Sequence, residues 1–256
     1  MLNGAQVLVT RPTHQAEELC RLICEQGGVA VRFPTLAIAP LPETEAIAGT
    51  LAQLDSYQWL IFISANAVTM HSYYTDSVKM PPFKLAQIAA IGKATAKALA
   101  LAGLPVAVVP ADGYTSEALL AMPQMQVIQG QRCLIIRGEG GREELATILQ
   151  SRGASVEYLN VYKRIKPEID NTTVNLLLQQ TKLTVITITS GEALENLLAM
   201  VTTQQHPQLF TVPLVVISDR ISQIAADRGF KRIAVTTSPS DSAILEKIIM
   251  CVTGGE

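Results

Sequence analysis

The chain has 256 residues, a formal net charge of −2 at pH 7, and 48% apolar residues. This length exceeds that of one typical hydrophobic core and predicts two domains. The nearly balanced charge excludes a general electrostatic attraction to nucleic acids or anionic membranes, and no apolar run is long enough to predict a membrane span.

Short apolar strands alternate with helical patterns along the chain. In the first half, the predicted strands are 7–10, 29–33, 60–63, 89–91 and 106–109, and the predicted helices are 15–26, 65–74, 93–102 and 116–122. In the second half, the predicted strands are 133–136, 155–159, 185–189, 214–217 and 233–235, and the predicted helices are 143–152, 192–201, 221–228 and 242–249. This alternation indicates an α/β fold with parallel sheets that helices cover on both faces.

The two halves resemble each other at a constant offset of 126 residues, without a gap. Segment 6–11 aligns with segment 132–137, and both are apolar strands that end in arginine. Ser64 likewise aligns with Ser190. A shared rhythm of strands and helices would not keep one register over such a length, so the repeat predicts an internal duplication.

Each half supplies five predicted strands, which suits a doubly wound parallel sheet of flavodoxin-like order. The longest connectors, 35–58 and 161–184, occupy equivalent places in the two halves, so we expect them to cross between two lobes. The predicted bounds are 1–36 plus 168–256 for lobe one and 37–167 for lobe two, with a two-stranded hinge near 35–41 and 160–167.

Ligands of open parallel sheets bind at the carboxyl ends of the strands, where the following helices begin. Both halves carry small polar residues at these places, and N-capping of a helix accounts for any one of them. Taken together, two facing sets of caps and free helix-start amides suit a ligand with many carboxylates. The candidate binding residues are Arg11, Ser64, Asn66, Thr95, Thr115, Ser116, Arg137, Gly138 and Ser190.

Other chemistries lack their motifs. Gly138, Gly140 and Gly141 do not have the spacing of a dinucleotide-binding loop, and no Lys-Ser or Lys-Thr pair follows them. The four cysteines and three histidines form no metal motif. No signal-peptide pattern precedes the first strand, so we expect a cytoplasmic protein without disulfides.

Six segments in chain order carry a resemblance to one enzyme family. They are VLVTRP (7–12), WLIFISANA (59–67), AIGKAT (90–95), LIIRG (134–138), NVYKR (160–164) and ITS (188–190). With these motifs, the sequence resembles the bacterial form of the uroporphyrinogen-III synthase family. The resemblance implies two flavodoxin-like lobes with a two-stranded linker, the substrate hydroxymethylbilane and no cofactor. It also implies ring closure to uroporphyrinogen III, with loss of water and inversion of the last pyrrole.

The resemblance assigns roles to individual residues. Tyr162 matches the family's Val-Tyr motif and is the candidate proton donor to the departing hydroxyl group. The alternative is a structural tyrosine, packed on the hinge with its hydroxyl bonded to backbone. Ser64, Thr95 and Ser190 match family positions at strand ends, where they are expected to bind carboxylates or the pyrrole face.

Two arginines are equivalent under the repeat, and one loop departs from the family pattern. Arg11 and Arg137 would clamp acetate or propionate groups, unless either pairs with a neighbouring acid such as Glu139. Relatives often have a Gly-x-Thr-Thr-like start where this chain has Ser-Asp-Arg-Ile at 218–221. A carboxylate at Asp219 is unfavourable near an anionic ligand unless it caps its own helix.

Two other classes of protein suit the same predicted lobes. A non-enzymatic two-lobed binding protein needs no proton donor, but the missing signal peptide argues against the periplasmic kind. A nucleotide- or sugar-dependent transferase needs a phosphate loop or a ribose-binding acid, and neither is convincing here. We expect a monomer that acts on a small molecule, without nucleic acid or membrane.

Overall fold

The computed structural model describes residues 1–78, 86–113, 115–141 and 143–254. The chain forms two compact units. Unit one comprises Met1–Ala37 and Ile165–Glu256, whereas unit two is the continuous segment Ile38–Arg164. The chain therefore passes from one unit to the other twice.

Strands and helices mostly alternate along the described residues. The strands are β1 (Gln6–Val9), β2 (Val29–Arg32), β3 (Ala37–Pro40), β4 (Trp59–Phe62), β5 (Gln87–Ala90), β6 (Arg132–Gly138), β7 (Ser155–Ile165), β8 (Leu183–Ile188), β9 (Leu214–Val216) and β10 (Ile233–Val235). The α-helices are α1 (Thr13–Glu25), α2 (Glu45–Ala52), α3 (Ala65–Val78), α4 (Lys93–Leu101), α5 (Ser116–Leu120), α6 (Pro123–Gln126), α7 (Glu144–Ser151), α8 (Thr172–Gln179), α9 (Gly191–Met200), α10 (His206–Leu209), α11 (Asp219–Asp227) and α12 (Asp241–Thr253). The alternation is interrupted where β2 is followed directly by β3 and where α4, α5 and α6 follow one another.

The sheet of unit one has the strand order β10-β9-β8-β1-β2, and its strands pair in parallel. Its central strands are apolar on both faces because side chains pack into a core on either side. In β1, Val7 and Val9 belong to one core and Leu8 to the other, and all three are at most 1% exposed. This double burial explains why the strand is an unbroken apolar run.

The sheet of unit two has the order β3-β7-β6-β4-β5, in which β7, β6, β4 and β5 pair in parallel. A parallel bridge between Ala89 and Val108 adds one more segment beyond β5. The order β2-β1-β8-β9 in unit one corresponds to β7-β6-β4-β5 in unit two, and each is followed by a last parallel segment. β3, which lies beyond β7, has no counterpart in unit one. The predicted α/β fold with parallel sheets is confirmed.

Two departures from the predicted elements concern a sheet edge and the connectors. Residues 106–109, predicted as a strand, form only the bridge at Val108. This segment lies at a sheet edge between Pro105 and Pro110, whose nitrogens cannot donate to a ladder. The predicted connectors are also more regular than expected, because the first contains β3 and α2 and the second contains α8.

The described residues offer no group of three or more His, Cys, Asp or Glu side chains placed to hold a metal ion. All four cysteines are free, and Cys133 is buried. Burial raises the pKa of the Cys133 thiol to about 11, so the thiol is protonated at neutral pH. In the same residues, no helix combines the length and apolar character that a membrane span requires.

A buried histidine lies on the inner face of α3. His71 is 1% exposed, and its ring packs edge-on against Phe62 with ring centroids 5.5 Å apart. Burial disfavours the charged imidazolium and lowers the pKa of His71 to about 4, from the usual histidine value of 6.5. The unfolded chain therefore binds a proton at pH values where the folded chain does not, and stability falls as the pH drops from 6.5 towards 4.

We predict that His71→Leu reduces the acid sensitivity of folding. Between pH 7 and pH 4.5, the lowered pKa of His71 should cost the wild-type chain about 2 kcal/mol of unfolding free energy, a loss that the variant avoids. Equilibrium urea unfolding at both pH values measures the difference. The exposed His14 provides the control, since His14→Ala should keep the wild-type dependence. An unchanged pH dependence in His71→Leu would contradict the prediction.

Candidate functional site

The carboxyl edge of the sheet in unit two brings a serine and a tyrosine together. Ser64 follows β4, and Tyr162 lies near the end of β7. The Ser64 Oγ and the Tyr162 hydroxyl are 3.1 Å apart, within hydrogen-bonding distance. The same Oγ accepts a bond of 3.0 Å from the Ala67 backbone N–H and so caps the first turn of α3. Capping of α3 therefore fixes the position of the Ser64 hydroxyl that contacts Tyr162.

A β-bulge determines which way Tyr162 points. Arg137 pairs with Asn160, but Gly138 pairs with Tyr162, so Val161 is an extra residue in β7. Regular alternation would place Tyr162 on the same face as Asn160. Instead, Tyr162 packs in the same core as Val161, while Tyr158 packs against the core on the other face. The bulge therefore turns the phenol towards Ser64.

Gly138 leaves the space that the tyrosine ring occupies. A Cβ at this position would lie 2.4 Å from Cε2 and 2.5 Å from Cζ of Tyr162. The ring itself is buried, with 5% of the residue exposed. The backbone N–H of Glu139 then donates a 2.8 Å bond to the Tyr162 carbonyl, which continues the pairing beyond the bulge. The close approach requires glycine on size alone.

On the opposite face of the same strands, Arg137 is buried among its own partners. Its Nε donates to Asn160 Oδ1 at 3.1 Å, and its Nη1 donates to the Gly141 carbonyl at 3.2 Å. Its Cζ lies 3.6 Å from the centroid of the Tyr158 ring, which is a cation–π contact. Arg137 and Asn160 are register partners immediately before the bulge. The predicted alternative partner, Glu139, makes none of these contacts.

The other predicted residues of unit two lie at helix starts. Asn66 is half-buried at the beginning of α3, and Thr95 is buried in the first turn of α4. Thr115 caps α5 by accepting a 3.3 Å bond from the Ala118 N–H, and Ser116 is the first residue of that helix. Among the described residues, neither Thr95, Thr115 nor Ser116 hydrogen-bonds to Tyr162. These residues lie at the same carboxyl edge of the sheet but take no part in the contact between Ser64 and Tyr162.

In unit one, the predicted Arg11 is already paired. Its guanidinium binds the Asp241 carboxylate at the start of α12, and Nη2 also donates to the Pro239 carbonyl at 3.2 Å. The preceding Thr10 is fully buried and donates its hydroxyl to the Thr187 carbonyl at 2.6 Å. Arg11 therefore has an internal acid as its partner. This is the predicted alternative, but the acid is Asp241 and not a residue close in the chain.

Serine caps open the helices at this edge of unit one. Ser190 accepts a 3.0 Å bond from the Ala193 N–H at the start of α9. Ser218 caps α11 in the same way, so Asp219 is the first helical residue rather than the cap. A carboxylate in the first turn is favourable because the helix dipole is positive there. The departure from the family pattern thus has a structural reason at Asp219.

The residues that hold the two arginines are not evident from the sequence. Asp241 lies 230 positions after Arg11, and Asn160 and Tyr158 reach Arg137 from the neighbouring strand. The only available signal was the alternation of Tyr158 and Asn160 along β7, which places both on one face. Their facing residue depends on strand register, which the sequence did not reveal.

The described residues also form two recesses, both at the opposite, amino edges of the sheets. One of about 410 Å³ in unit one is lined by residues that include Leu183, Pro213 and Arg232. The other, of about 520 Å³ in unit two, includes Trp59 and Gln131. None of the predicted site residues lines either recess. Because ligands of open parallel sheets bind at the carboxyl edge, the site is assigned there and not to these recesses.

Comparisons with known proteins agree on one family. The family model described as uroporphyrinogen-III synthase HemD matches residues 17–246. The chain is 32% identical to the uroporphyrinogen-III synthase of Escherichia coli over 245 residues, which cover 94% of this chain and 99% of that protein. It is 32% identical to the Salmonella typhimurium enzyme over 246 residues, with the same coverage of both chains.

Solved structures support the fold. The structure of a mutant uroporphyrinogen III synthase from Thermus thermophilus superposes with a TM-score of 0.62 at 16% identity, and covers 98% of this chain and 100% of that one. The uroporphyrinogen-III synthetase from Helicobacter pylori gives a TM-score of 0.61 at 15% identity, over 94% and 97% of the two chains.

We predict that Gly138→Ala destabilises the chain by displacing the Tyr162 ring. The added methyl group overpacks the strand pair and should cost about 1–3 kcal/mol. Chemical denaturation measures the loss. Gly49→Ala is the matched control, because no atom lies within 4 Å of its added Cβ. When Tyr162 has already been replaced by Ala, Gly138→Ala should leave the free energy of unfolding almost unchanged. An equally large loss of stability in that background would exclude the ring as the cause.

Proposed function

The chain belongs to the uroporphyrinogen-III synthase family and carries out that family's reaction as a lyase of porphyrin biosynthesis, and we propose that Tyr162 and Ser64 form its catalytic centre. The family assignment rests on the match over residues 17–246 and on 32% identity over 99% of a full-length relative. The proposed centre rests on the 3.1 Å contact between the two hydroxyls.

We propose hydroxymethylbilane as the substrate, whose terminal hydroxyl must leave as water. Departure of the protonated hydroxyl leaves an azafulvene cation that is delocalised onto a pyrrole nitrogen. The substituted carbon of the last pyrrole then attacks this cation and forms a spiro intermediate. Cleavage of the old bond and recombination at the other position invert that ring. The carbon that forms the new bond then loses its proton, which restores the pyrrole and balances the proton that left with the water. The chain must hold the substrate bent so that this route outpaces direct head-to-tail closure.

The order of hydrogen bonds suits Tyr162 as the proton donor. The Ala67 N–H donates to Ser64 Oγ, which leaves the Ser64 hydroxyl proton free to point at the Tyr162 oxygen. The phenol proton is then available to the departing hydroxyl of the substrate. Each donated bond polarises the next donor, so the chain of bonds strengthens the terminal one. A phenol can serve as a weak acid or as a hydrogen-bond anchor.

Residues at the strand ends and helix starts of the carboxyl edges are the proposed binding groups for substrate carboxylates. In unit two they comprise Ser64, Asn66, Thr95, Thr115, Ser116 and Gly138. In unit one they comprise Arg11 and Ser190. Helix-start N–H groups and the helix dipole favour anions, which lets a slightly acidic chain bind a polyanion. Arg11 would have to exchange the Asp241 carboxylate for one from the substrate.

We further propose that the two units arose by duplication with exchange of segments, and that the crossings near 35–41 and 160–167 act as a two-stranded hinge. Two observations support this. Four strands of each sheet have the same order, β2-β1-β8-β9 in unit one and β7-β6-β4-β5 in unit two. In addition, β3 and β7, which carry the two crossings, are hydrogen-bonded neighbours in one sheet.

A coupled assay tests the reaction directly. Hydroxymethylbilane is generated enzymatically, the purified chain is added without metal or cofactor, and the oxidised products are separated. We expect the type III isomer of uroporphyrin. Formation of the type I isomer alone, at the spontaneous rate, would refute the activity.

We predict that Tyr162→Phe lowers kcat by roughly 10-fold to 100-fold, because the reaction loses its proton donor. Ser64→Ala should have a smaller effect, since the phenol proton remains. Tyr57→Phe is the control, because the Tyr57 hydroxyl bonds Glu157 at 2.9 Å, away from the carboxyl edge. Steady-state kinetics on the folded variants gives kcat for each and so ranks the three effects. Wild-type turnover in Tyr162→Phe would remove this residue as the acid.

A further inference from the structure

We propose that Arg137, Tyr158 and Asn160 form a bulge clamp, a set of positioning residues that acts on the reaction through Tyr162 and not by binding the substrate. This inference rests on the proposed function, because it assigns the clamp to the same catalytic tyrosine. It replaces the direct carboxylate contact that the sequence predicts for Arg137.

The clamp sits where the strand register changes. Arg137 and Asn160 are the last regular pair of β6 and β7, and the next pair, Gly138 and Tyr162, skips Val161. The 3.1 Å bond between Arg137 Nε and Asn160 Oδ1 therefore joins the two strands directly before the bulge. A charge-assisted bond at this point opposes a slip of the register, which would return Tyr162 to the other face.

The clamp also reaches the far side of the bulge. Arg137 Nη1 donates to the Gly141 carbonyl at 3.2 Å and so holds the turn that follows β6. In that turn, the Glu139 N–H donates to the Tyr162 carbonyl at 2.8 Å. One guanidinium thus contacts both the residue before the bulge and the turn that binds the residue after it.

Burial makes these partners necessary for Arg137. The residue is 7% exposed, and a buried guanidinium without hydrogen bonds is costly. The Tyr158 ring, 3.6 Å from the guanidinium carbon, covers its flat face. The Tyr158 hydroxyl is itself buried with no hydrogen-bond partner among the described residues. Tyr158 therefore contributes its ring and not its hydroxyl.

The orientation of the clamp separates it from the reacting groups. Tyr158 packs against the core on one face of the sheet, whereas Tyr162 packs in the core on the other. Arg137 stacks on Tyr158, so its guanidinium lies on the face away from the Ser64–Tyr162 contact. Arg137 therefore stabilises the position of Tyr162 from the opposite face of the sheet.

Kinetics on Asn160 variants distinguishes positioning from substrate binding. We expect Asn160→Ala to lower kcat roughly 10-fold with KM changed less than about twofold, because it misplaces the acid without removing a substrate contact. Asn160→Asp, which still accepts from Arg137, should restore most of the turnover. The control on the same strand is Glu157→Gln, which alters the ion pair with Arg132 and should leave kcat unchanged.

A double variant makes the test specific. If the clamp acts through Tyr162, Asn160→Ala should lower kcat by less than about twofold when Tyr162 has already been replaced by Phe. A raised KM, or a full 10-fold cost that persists in that background, would overturn the proposal in favour of direct substrate binding.

Fluorine NMR tests the clamp without activity. In protein labelled with 3-fluorotyrosine, the Tyr162 signal is identified by its loss in Tyr162→Phe. Asn160→Ala should shift or broaden that signal, whereas Glu157→Gln should not. An unchanged Tyr162 signal in a folded Asn160→Ala protein would overturn the clamp. If Tyr162→Phe proves fully active, the catalytic role fails, but the NMR result still decides the positioning role.

Discussion

The hydrogen-bonded register between β6 and β7 governs the geometry of the proposed catalytic centre. β6 is buried on both faces, and in β7 the residues from Tyr158 to Tyr162 are buried or half-buried. The position of each of these side chains in the ladder therefore decides which face of the sheet it packs against. Along β7 this alternation holds through Asn160, and one extra residue, Val161, then reverses it. The reversal places the phenol of Tyr162 over Gly138 and against Ser64. Regular pairing would have placed it on the opposite face of the sheet, with Tyr158.

Helix capping supplies the second component of the centre. Ser64 is positioned by the backbone of α3 whether or not a ligand is present, since its Oγ accepts from Ala67. Ser190 and Ser218 do the same for α9 and α11. A cap contributes about 1 kcal/mol to helix stability, so folding alone keeps these hydroxyls at the carboxyl edges. Their availability to a polyanion follows from where helices must begin in a parallel α/β sheet.

The sequence predicted local features well and long-range partners poorly. Apolar runs such as Val7–Val9 predict strands that are buried on both faces. The small polar residues after many of the strands predict helix N-caps. The bulge at Val161 carries no glycine or proline signal, so alternation alone would have directed Tyr162 to the wrong face. The partner of Arg11 is Asp241, 230 positions away, which no local pattern reveals. Residues 106–109 had strand composition, but their flanking prolines limited them to one bridge.

The division of the chain into one continuous and one interrupted unit has a consequence for biosynthesis. In unit one, β1 lies between β2 and β8, so one edge of this strand, with its apolar run Val7–Val9, has no neighbour until β8 has been made. Unit two is synthesised in the interval, which takes on the order of ten seconds at ordinary ribosomal rates, and it can fold as it emerges. During that time the amino-terminal strand and helix are an unfinished sheet with an open edge. Nascent chains of this protein are therefore most vulnerable to aggregation before β8 leaves the ribosome, and chaperone protection would matter most in that window.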